Sequence, residues 1–249
     1  MFTVEGREQV RDRVLELATS DPRIVAGAVV GSLADGEGDR WSDLDLTFAV
    51  ADGVPLVDVL DEWTRVLATE LDAIHLFDLS SGPALYRVLL LPGCLQLDVS
   101  VSPAAQFAAG GRSFRLLFGS AGEPREVSPP AAEELFGYAV HHALRARFCI
   151  ERSRYWQAEY WVSGVRDYAL GLACRRRGLP ASQGRGFDEL QDEVLRGFEP
   201  ALARSLERAE LLRALAAAID GLLREAAEVE GLAATVEPRL RELTAEWAD

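Results

Sequence analysis

The chain has 249 residues, 49% of them apolar, so it can bury a core large enough for one large domain or two modest ones. Its formal net charge of −14 argues against a nucleic-acid partner, because proteins that grip a phosphate backbone do so with clustered Lys and Arg. The sequence contains no transmembrane run and no secretory signal pattern, so we expect a cytoplasmic protein without a membrane partner. The three cysteines, which form no CxxC pair, support neither a disulfide framework nor a structural zinc site.

The first half of the chain mixes helical and strand patterns. Apolar positions recur at helical spacing over residues 6 to 19 and 55 to 71, and strand-like apolar runs cover residues 24 to 30, 44 to 50 and 73 to 79. Residues 84 to 102 form a predicted hairpin that turns at Pro92-Gly93. We therefore predict an α/β domain over residues 1 to 128.

The second half changes character from Pro129-Pro130 onward. Long helical patterns cover residues 131 to 152, 154 to 178, 201 to 229 and 236 to 247, and a connection with one short helix lies between Gly178 and Pro200. The adjacent His141 and His142 point about 100° apart around their helix, so they do not share one metal from that helix and are interpreted as structural. The sequence predicts a helical domain over residues 129 to 249 and an α+β chain overall.

Two aspartates one residue apart mark the start of the second predicted strand. Because side chains alternate along a strand, Asp43 and Asp45 point to the same side of the sheet. Two such carboxylates repel unless a cation lies between them, and Mg²⁺ is the usual partner of a few carboxylates plus substrate phosphates. Gly31 and Ser32 end the first strand, where glycine lets backbone N–H groups approach an anion and serine adds a donor. The segment indicates a metal-dependent phosphate site.

A third carboxylate is available at Asp98, in the second half of the predicted hairpin. From residue 95 to residue 101 the odd positions are Leu or Val, and the even positions are Gln96, Asp98 and Ser100. This alternation predicts a strand with one core face and one polar face. We expect Asp98 on the polar face, beside the strand of Asp43 and Asp45.

In these residues the chain resembles the polymerase-beta-like nucleotidyltransferase superfamily. The signature of that superfamily is a Gly-Ser, a short spacer, Asp-x-Asp and a third acidic residue on a later strand, which Gly31, Ser32, Asp43, Asp45 and Asp98 match. The spacing and the residues of the motif are most similar to those of the small-molecule branch, which includes aminoglycoside and lincosamide nucleotidyltransferases. The resemblance implies an N-terminal nucleotidyltransferase domain with a mixed sheet, followed by a C-terminal helical bundle.

The resemblance also implies an activity. It is the transfer of a nucleoside monophosphate, with AMP from ATP favoured over other nucleoside triphosphates, to a hydroxyl of a small acceptor, with release of pyrophosphate. Asp43 and Asp45 would hold two Mg²⁺ ions, Asp98 would complete the ligand set and take the hydroxyl proton, and Gly31 and Ser32 would seat phosphates. The acidic chain favours a cationic acceptor such as an aminoglycoside-like compound, as in antibiotic resistance.

The helical pattern over residues 154 to 178 adds candidate substrate contacts. Helical spacing predicts one stripe that contains Trp156, Tyr160, Ser163 and Asp167. In the functional interpretation Trp156 and Tyr160 contact the substrate, Glu159 pairs with an amine and Arg166 clamps a nucleotide phosphate. In the alternative interpretation Glu159 and Arg166 form an intrahelical or interhelical pair, and the aromatic residues pack the bundle, namely Trp156, Tyr160, Trp161 and Tyr168.

Two other classes of function fit the same residues. The chain could be a nucleotide-binding regulator or antitoxin-like module that has the fold without turnover. It could also be a nucleotidyltransferase that modifies a protein side chain, because the metal site would be the same and only the acceptor pocket would differ.

Overall fold

The structure is a computed structural model that describes residues 1–36, 38–110, 113–125 and 128–245. The chain divides into two compact units, Met1–Val127 and Ser128–Asp249. The first unit combines a mixed sheet with helices and the second is helical, which confirms the α+β fold class expected from the sequence. In the described ranges, every helix is too short or too polar to cross a membrane.

The first unit is built on a sheet of six strands. Two further strands form a separate pair. The strands in the described part of this unit are β1 (Ile24–Val30), β2 (Leu44–Val50), β3 (Ile74–Ser81), β4 (Ala84–Leu91), β5 (Leu95–Pro103), β6 (Ala108–Gly110), β7 (Phe114–Phe118) and β8 (Gly122–Arg125). The order in the large sheet is β3-β4-β5-β2-β1-β7, and β6 and β8 pair separately. The central strands β2 and β5 run parallel, whereas the other neighbours in the large sheet run antiparallel.

Helices cover one face of this sheet. They are α1 (Val4–Ser20) and α3 (Leu56–Leu71), while α2 (Ser32–Asp35) is a single turn between β1 and β2. Alternate residues of the central strands, such as Leu46 and Leu97, are buried in one core with Val14 of α1 and Leu60 of α3. Because side chains alternate along a strand, the residues between them face the other side of the sheet.

The second unit is a helical bundle. Its helices are α4 (Ala132–Glu151), α5 (Tyr155–Arg176), α6 (Asp192–Phe198), α7 (Arg208–Glu225) and α8 (Glu230–Glu242). Many residues in its core are alanines, including the fully buried Ala143 of α4, Ala169 of α5 and Ala218 of α7. Such small side chains allow helices to pack closely against one another. No strand occurs in residues 128–245, in agreement with the sequence analysis.

Several boundaries differ from those expected. The helix expected from residue 201 begins at Arg208, because Glu199–Ala201 form a 3₁₀ turn that ends in extended backbone. The last helix begins at Glu230, not at 236, and contains Pro238 in its interior, although proline favours a first turn. Its expected end at 247 lies outside the described residues. The strands β6, β7 and β8 were not expected, because three to five residues are too few to show a period.

Candidate metal and phosphate site

Three aspartates from the two central strands form one cluster. In the parallel pairing of β2 with β5, Asp45 lies directly opposite Asp98. Asp43 lies one residue before β2 and shares the side of Asp45. One carboxylate oxygen from each of the three residues lies within 4.8 Å of the others. The side chains that the sequence analysis selected are thus neighbours, on the sheet face opposite the helices α1 and α3.

Gly31 lies against this cluster at the end of β1. Its backbone has φ 70°, in the left-handed region that favours glycine. A Cβ atom at this position would overlap the Oδ2 atom of Asp45, so the contact leaves no room for a side chain. The structure therefore gives Gly31 a steric reason to be glycine that the sequence did not reveal. Its backbone is the surface on which the Asp45 carboxylate lies.

A buried arginine holds the loop that leads into the cluster. Arg7 of α1 donates hydrogen bonds through Nη1 to the carbonyl oxygens of Asp39 and Ser42, both at 2.7 Å. Ser42 directly precedes Asp43, and its hydroxyl accepts a hydrogen bond from Ser32 Oγ at 3.1 Å. Charged donors make strong hydrogen bonds, so Arg7 fixes the backbone before Asp43. Sequence analysis missed Arg7, because in the pattern of α1 it is one charged residue among several.

The electrostatics of the cluster are those of crowded carboxylates. Burial raises the pKa of the Asp98 carboxyl above its ordinary value, and the negative charge of Asp43 adds to the rise. Gln96 opposes this shift, because its Nε2 atom donates to both carboxylate oxygens of Asp98 at 3.0 and 3.2 Å. A raised pKa means that the charged form is disfavoured in the folded chain. A bound cation would reverse that preference.

The donor set fits a hard divalent cation. Mg²⁺ binds carboxylate oxygens at about 2.1 Å, so two oxygens on opposite sides of one ion are about 4.2 Å apart. Oxygens within 4.8 Å of one another need only a small adjustment to share an ion. A pair of ions about 3.5–4 Å apart also suits such a spacing. The cluster contains only carboxylates, whereas a zinc site would favour Cys or His ligands.

The aromatic residues expected to contact substrate lie on α5, in the helical unit. Trp156 is 80% exposed and Tyr160 is 63% exposed, so neither is buried in the bundle core. Trp161 and Tyr168, by contrast, pack against that core. Packing in the bundle, the alternative interpretation, therefore fits the partly buried Trp161 and Tyr168 and does not fit Trp156 and Tyr160.

The charged residues expected to contact substrate each have a neighbour on the same helix. Glu159 accepts a hydrogen bond from Ser163 Oγ at 2.7 Å. Arg166 forms an ion pair with Asp167 at 2.9 Å. Among the described residues Glu159 and Arg166 form no ion pair with each other, whereas the Arg166–Asp167 contact is an intrahelical pair, as the alternative interpretation expects for Arg166.

Comparison with known proteins gives distant likenesses only. No family model matches the chain, and no curated protein matches it. Among solved structures, it is similar to an aminoglycoside 6-adenyltransferase from Bacillus subtilis, with 13% identity, TM-score 0.38, and 96% of this chain and 99% of that chain covered. It is also similar to JHP933 from Helicobacter pylori, with 11% identity, TM-score 0.26, and 92% and 96% covered. Likenesses at this distance assign no activity to the chain.

Proposed function

We propose that the chain is a Mg²⁺-dependent nucleotidyltransferase. It moves a nucleoside monophosphate from a nucleoside triphosphate, with ATP favoured, to a hydroxyl of a small cationic acceptor and releases pyrophosphate. The observation that supports this most strongly is the meeting of Asp43, Asp45 and Asp98 on two parallel neighbouring strands. Phosphoryl chemistry needs positioning and charge neutralisation more than covalent catalysis, and three carboxylates that gather divalent ions supply both.

Each residue of the cluster has a proposed role. Asp43, Asp45 and Asp98 would hold the ions, which when bound neutralise phosphate charge and favour ionisation of the attacking hydroxyl. Asp98 would also accept the proton of that hydroxyl. Gly31 and Ser32 would seat the terminal phosphates, Gly31 through its backbone N–H and Ser32 through its exposed hydroxyl.

The roles expected for four residues of α5 stay predictions. Arg166 would contact the nucleotide phosphates, and Glu159, Trp156 and Tyr160 would contact the acceptor. The exposure of the two aromatic side chains leaves their faces open to a ligand. An acceptor carrying an amine would suit the carboxylate of Glu159.

Label transfer tests the proposal. The protein is incubated with Mg²⁺, a panel of aminoglycosides and lincosamides, and each nucleoside triphosphate radiolabelled either at the α-phosphate or at the γ-phosphate. The α-label should appear on an acceptor and the γ-label in pyrophosphate. Both should be lost in Asp45→Asn and retained in Asp52→Asn, which removes a charge at an exposed position. Transfer of the γ-label to the acceptor would contradict the proposal.

The same assay separates the other two classes of function. Addition of a cell extract would place the α-label on a protein band if the acceptor is a protein side chain. A regulator would bind Mg²⁺ and nucleotide in calorimetry and transfer no label to any acceptor. Either result would replace the proposed reaction while leaving the metal site in place.

A further inference from the structure

The helical unit contains a cavity that the metal cluster does not explain. Its volume is about 640 Å³, within the range of about 300–1,000 Å³ that is usual for small-molecule sites. Glu134, Tyr138 and His142 of α4 line one side, and Tyr160, Asp167 and Tyr168 of α5 line the other. Another wall consists of Ala181, Ser182, Gln183, Gly184 and Phe187.

Two helical stripes create this cavity. Positions 134, 138 and 142 recur every four residues on α4, as do positions 160, 164 and 168 on α5, so each set lies along one face of its helix. The rings of Tyr138 and Tyr168 stack, with centroids 5.4 Å apart and planes 20° apart. The ring of His142 meets Tyr168 edge-on, at 5.0 Å and 77°. The walls are therefore mainly aromatic surfaces in contact with one another.

Gly164 makes room for one of these rings. A Cβ atom at position 164 would overlap Nδ1 of His142, so the imidazole lies directly on the backbone of α5. That Nδ1 atom is buried and has no hydrogen-bond partner among the described residues. Burial lowers the pKa of His142, helped by His141 and opposed by Asp167. The imidazole is thus neutral at neutral pH and adds no positive charge to the cavity.

The charge of the cavity lining is negative. Glu134 and Asp167 are its charged residues, and no arginine lines it within the described chain. Glu134 has no ion-pair partner among the described residues, whereas Asp167 pairs with Arg166. Burial raises the pKa of Tyr168, with smaller contributions from Tyr138, Tyr160 and Glu134, so its phenol is neutral. Neutral aromatic faces beside carboxylates attract cations.

We propose that this cavity binds an organic cation in which an amine is attached to a flat or apolar body. The carboxylates and ring faces would hold the amine, and Leu135 and Phe187, which also line the cavity, would contact the body. The inference shares Tyr160 with the proposed acceptor contacts, but it concerns binding by the helical unit alone and holds with or without the proposed transfer reaction.

Calorimetry with three probes tests the proposal on the full chain without nucleotide or metal. Phenylpropylamine has both the charge and the apolar body, phenylpropanol has only the body, and glucosamine has only the charge. Phenylpropylamine should bind about tenfold more tightly than either of the other two, because both the cation and the apolar surface contribute. Equal affinity for phenylpropylamine and phenylpropanol, or no saturable binding of phenylpropylamine, would overturn the proposal.

Variants identify the cavity as the site of binding. The double variant Glu134→Gln with Asp167→Asn should bind phenylpropylamine about tenfold more weakly and phenylpropanol unchanged, because it removes the two negative charges that attract the amine and leaves the apolar contacts in place. Both positions are exposed, so the double variant is expected to fold. Unchanged binding of phenylpropylamine by this variant would contradict the assignment.

A glycine pair gives a matched steric test. Gly164→Ala should displace His142 into the cavity and weaken binding of phenylpropylamine and phenylpropanol alike, whereas Gly137→Ala on α4 places its Cβ in open space and should bind as the wild type does. Circular dichroism confirms folding of both. A folded Gly164→Ala variant with wild-type affinity would refute the proposed site. Asp45→Asn should leave probe binding unchanged, which separates this inference from the fate of the transfer reaction.

Discussion

Replacement of Asp98 by Asn should stabilise the chain in the absence of divalent ions, because it relieves carboxylate repulsion. At the 4.8 Å limit of the cluster, two unit charges repel by about 3.5 kcal/mol at an effective dielectric of 20 and by about 0.9 kcal/mol in bulk water. The substitution removes two of the three repulsive pairs. It also costs about 1 kcal/mol, because Gln96 loses one of its two acceptors on this side chain.

The lower value, about 0.9 kcal/mol, applies to each of the two repulsive pairs that the substitution removes, because solvent reaches the cluster and screens its charges. The expected net gain at neutral pH is about 1 kcal/mol after the lost hydrogen bond is included. The sign follows from the raised pKa of Asp98. A carboxyl group whose pKa is higher in the folded chain than in the unfolded chain stabilises the fold below its ordinary pKa of 3.8. This contribution is lost as the pH rises through the pKa of the folded chain. The gain from Asn should therefore appear at neutral pH and vanish in acid.

Thermal melting with and without Mg²⁺ measures both effects. A gain of about 1 kcal/mol should raise the melting temperature of the sheet unit by about 3–5 °C. Mg²⁺ should raise the melting temperature of the wild type and have little effect on Asp98→Asn. Asp52→Asn, which removes an exposed charge, should behave as the wild type does. A variant that melts lower without metal and still responds fully to Mg²⁺ would refute the reasoning.

Three further changes test other parts of the structure. Gly31→Ala should lower turnover at least tenfold and weaken Mg²⁺ binding, measured by kinetics and calorimetry, because its Cβ would displace Asp45. Arg213 lowers the pKa of Glu210 from 4.5 to about 2. The Glu210 carboxylate therefore stabilises the fold above pH 4.5, and this contribution is lost as the pH falls towards 2. Glu210→Gln should reduce the pH dependence of the melting temperature between these two pH values. Arg147→Met should cost about 3 kcal/mol in urea denaturation, because the fully buried guanidinium donates to two backbone carbonyls beyond α8.

Each of these changes has a control. Gly36 also has a positive φ, 78°, and open space around its Cβ direction, so Gly36→Ala places a methyl group on a positive-φ residue without a clash and should retain Mg²⁺ binding. Equal loss of Mg²⁺ binding in both variants would contradict the overlap with Asp45 as the cause. An unchanged acid profile in Glu210→Gln would remove that residue from the acid response. Arg208→Met, at an exposed ion pair, should cost less than about 1 kcal/mol, and a cost equal to that of Arg147→Met would contradict the role of burial.

The sequence predicted the central strands well, because their alternation is strong. From residue 95 to residue 101 of β5, Leu or Val occupies every second position, and all four side chains are buried in one core. The parity that placed Asp98 on the polar face also places it opposite Asp45 once β2 and β5 pair. The alternation of side chains along β5 and the pairing of β5 with β2 thus both place Asp98 beside Asp45. Metal ligands on regular strands are the kind of site that sequence patterns can indicate.

Other parts of the structure depend on contacts between distant segments. The overlap that requires glycine at position 31 arises from the approach of β1 to Asp45. The hydrogen bonds from Arg7 to the loop before Asp43 join residues more than 30 positions apart. The cavity of the helical unit forms where the stripes of α4 and α5 meet, so His142 was interpreted as structural although it lines that cavity. No single-segment pattern contains these contacts.

Counting bound ions tests the central claim most directly, because it needs no acceptor. Mn²⁺ replaces Mg²⁺ at oxygen sites and is counted by electron paramagnetic resonance, here with an ATP analogue whose α–β bridge resists cleavage. The wild type should bind two Mn²⁺ ions per chain with the analogue, and Asp45→Asn should lose at least one of them. Equal Mn²⁺ binding by both proteins would show that the three aspartates do not form the metal site.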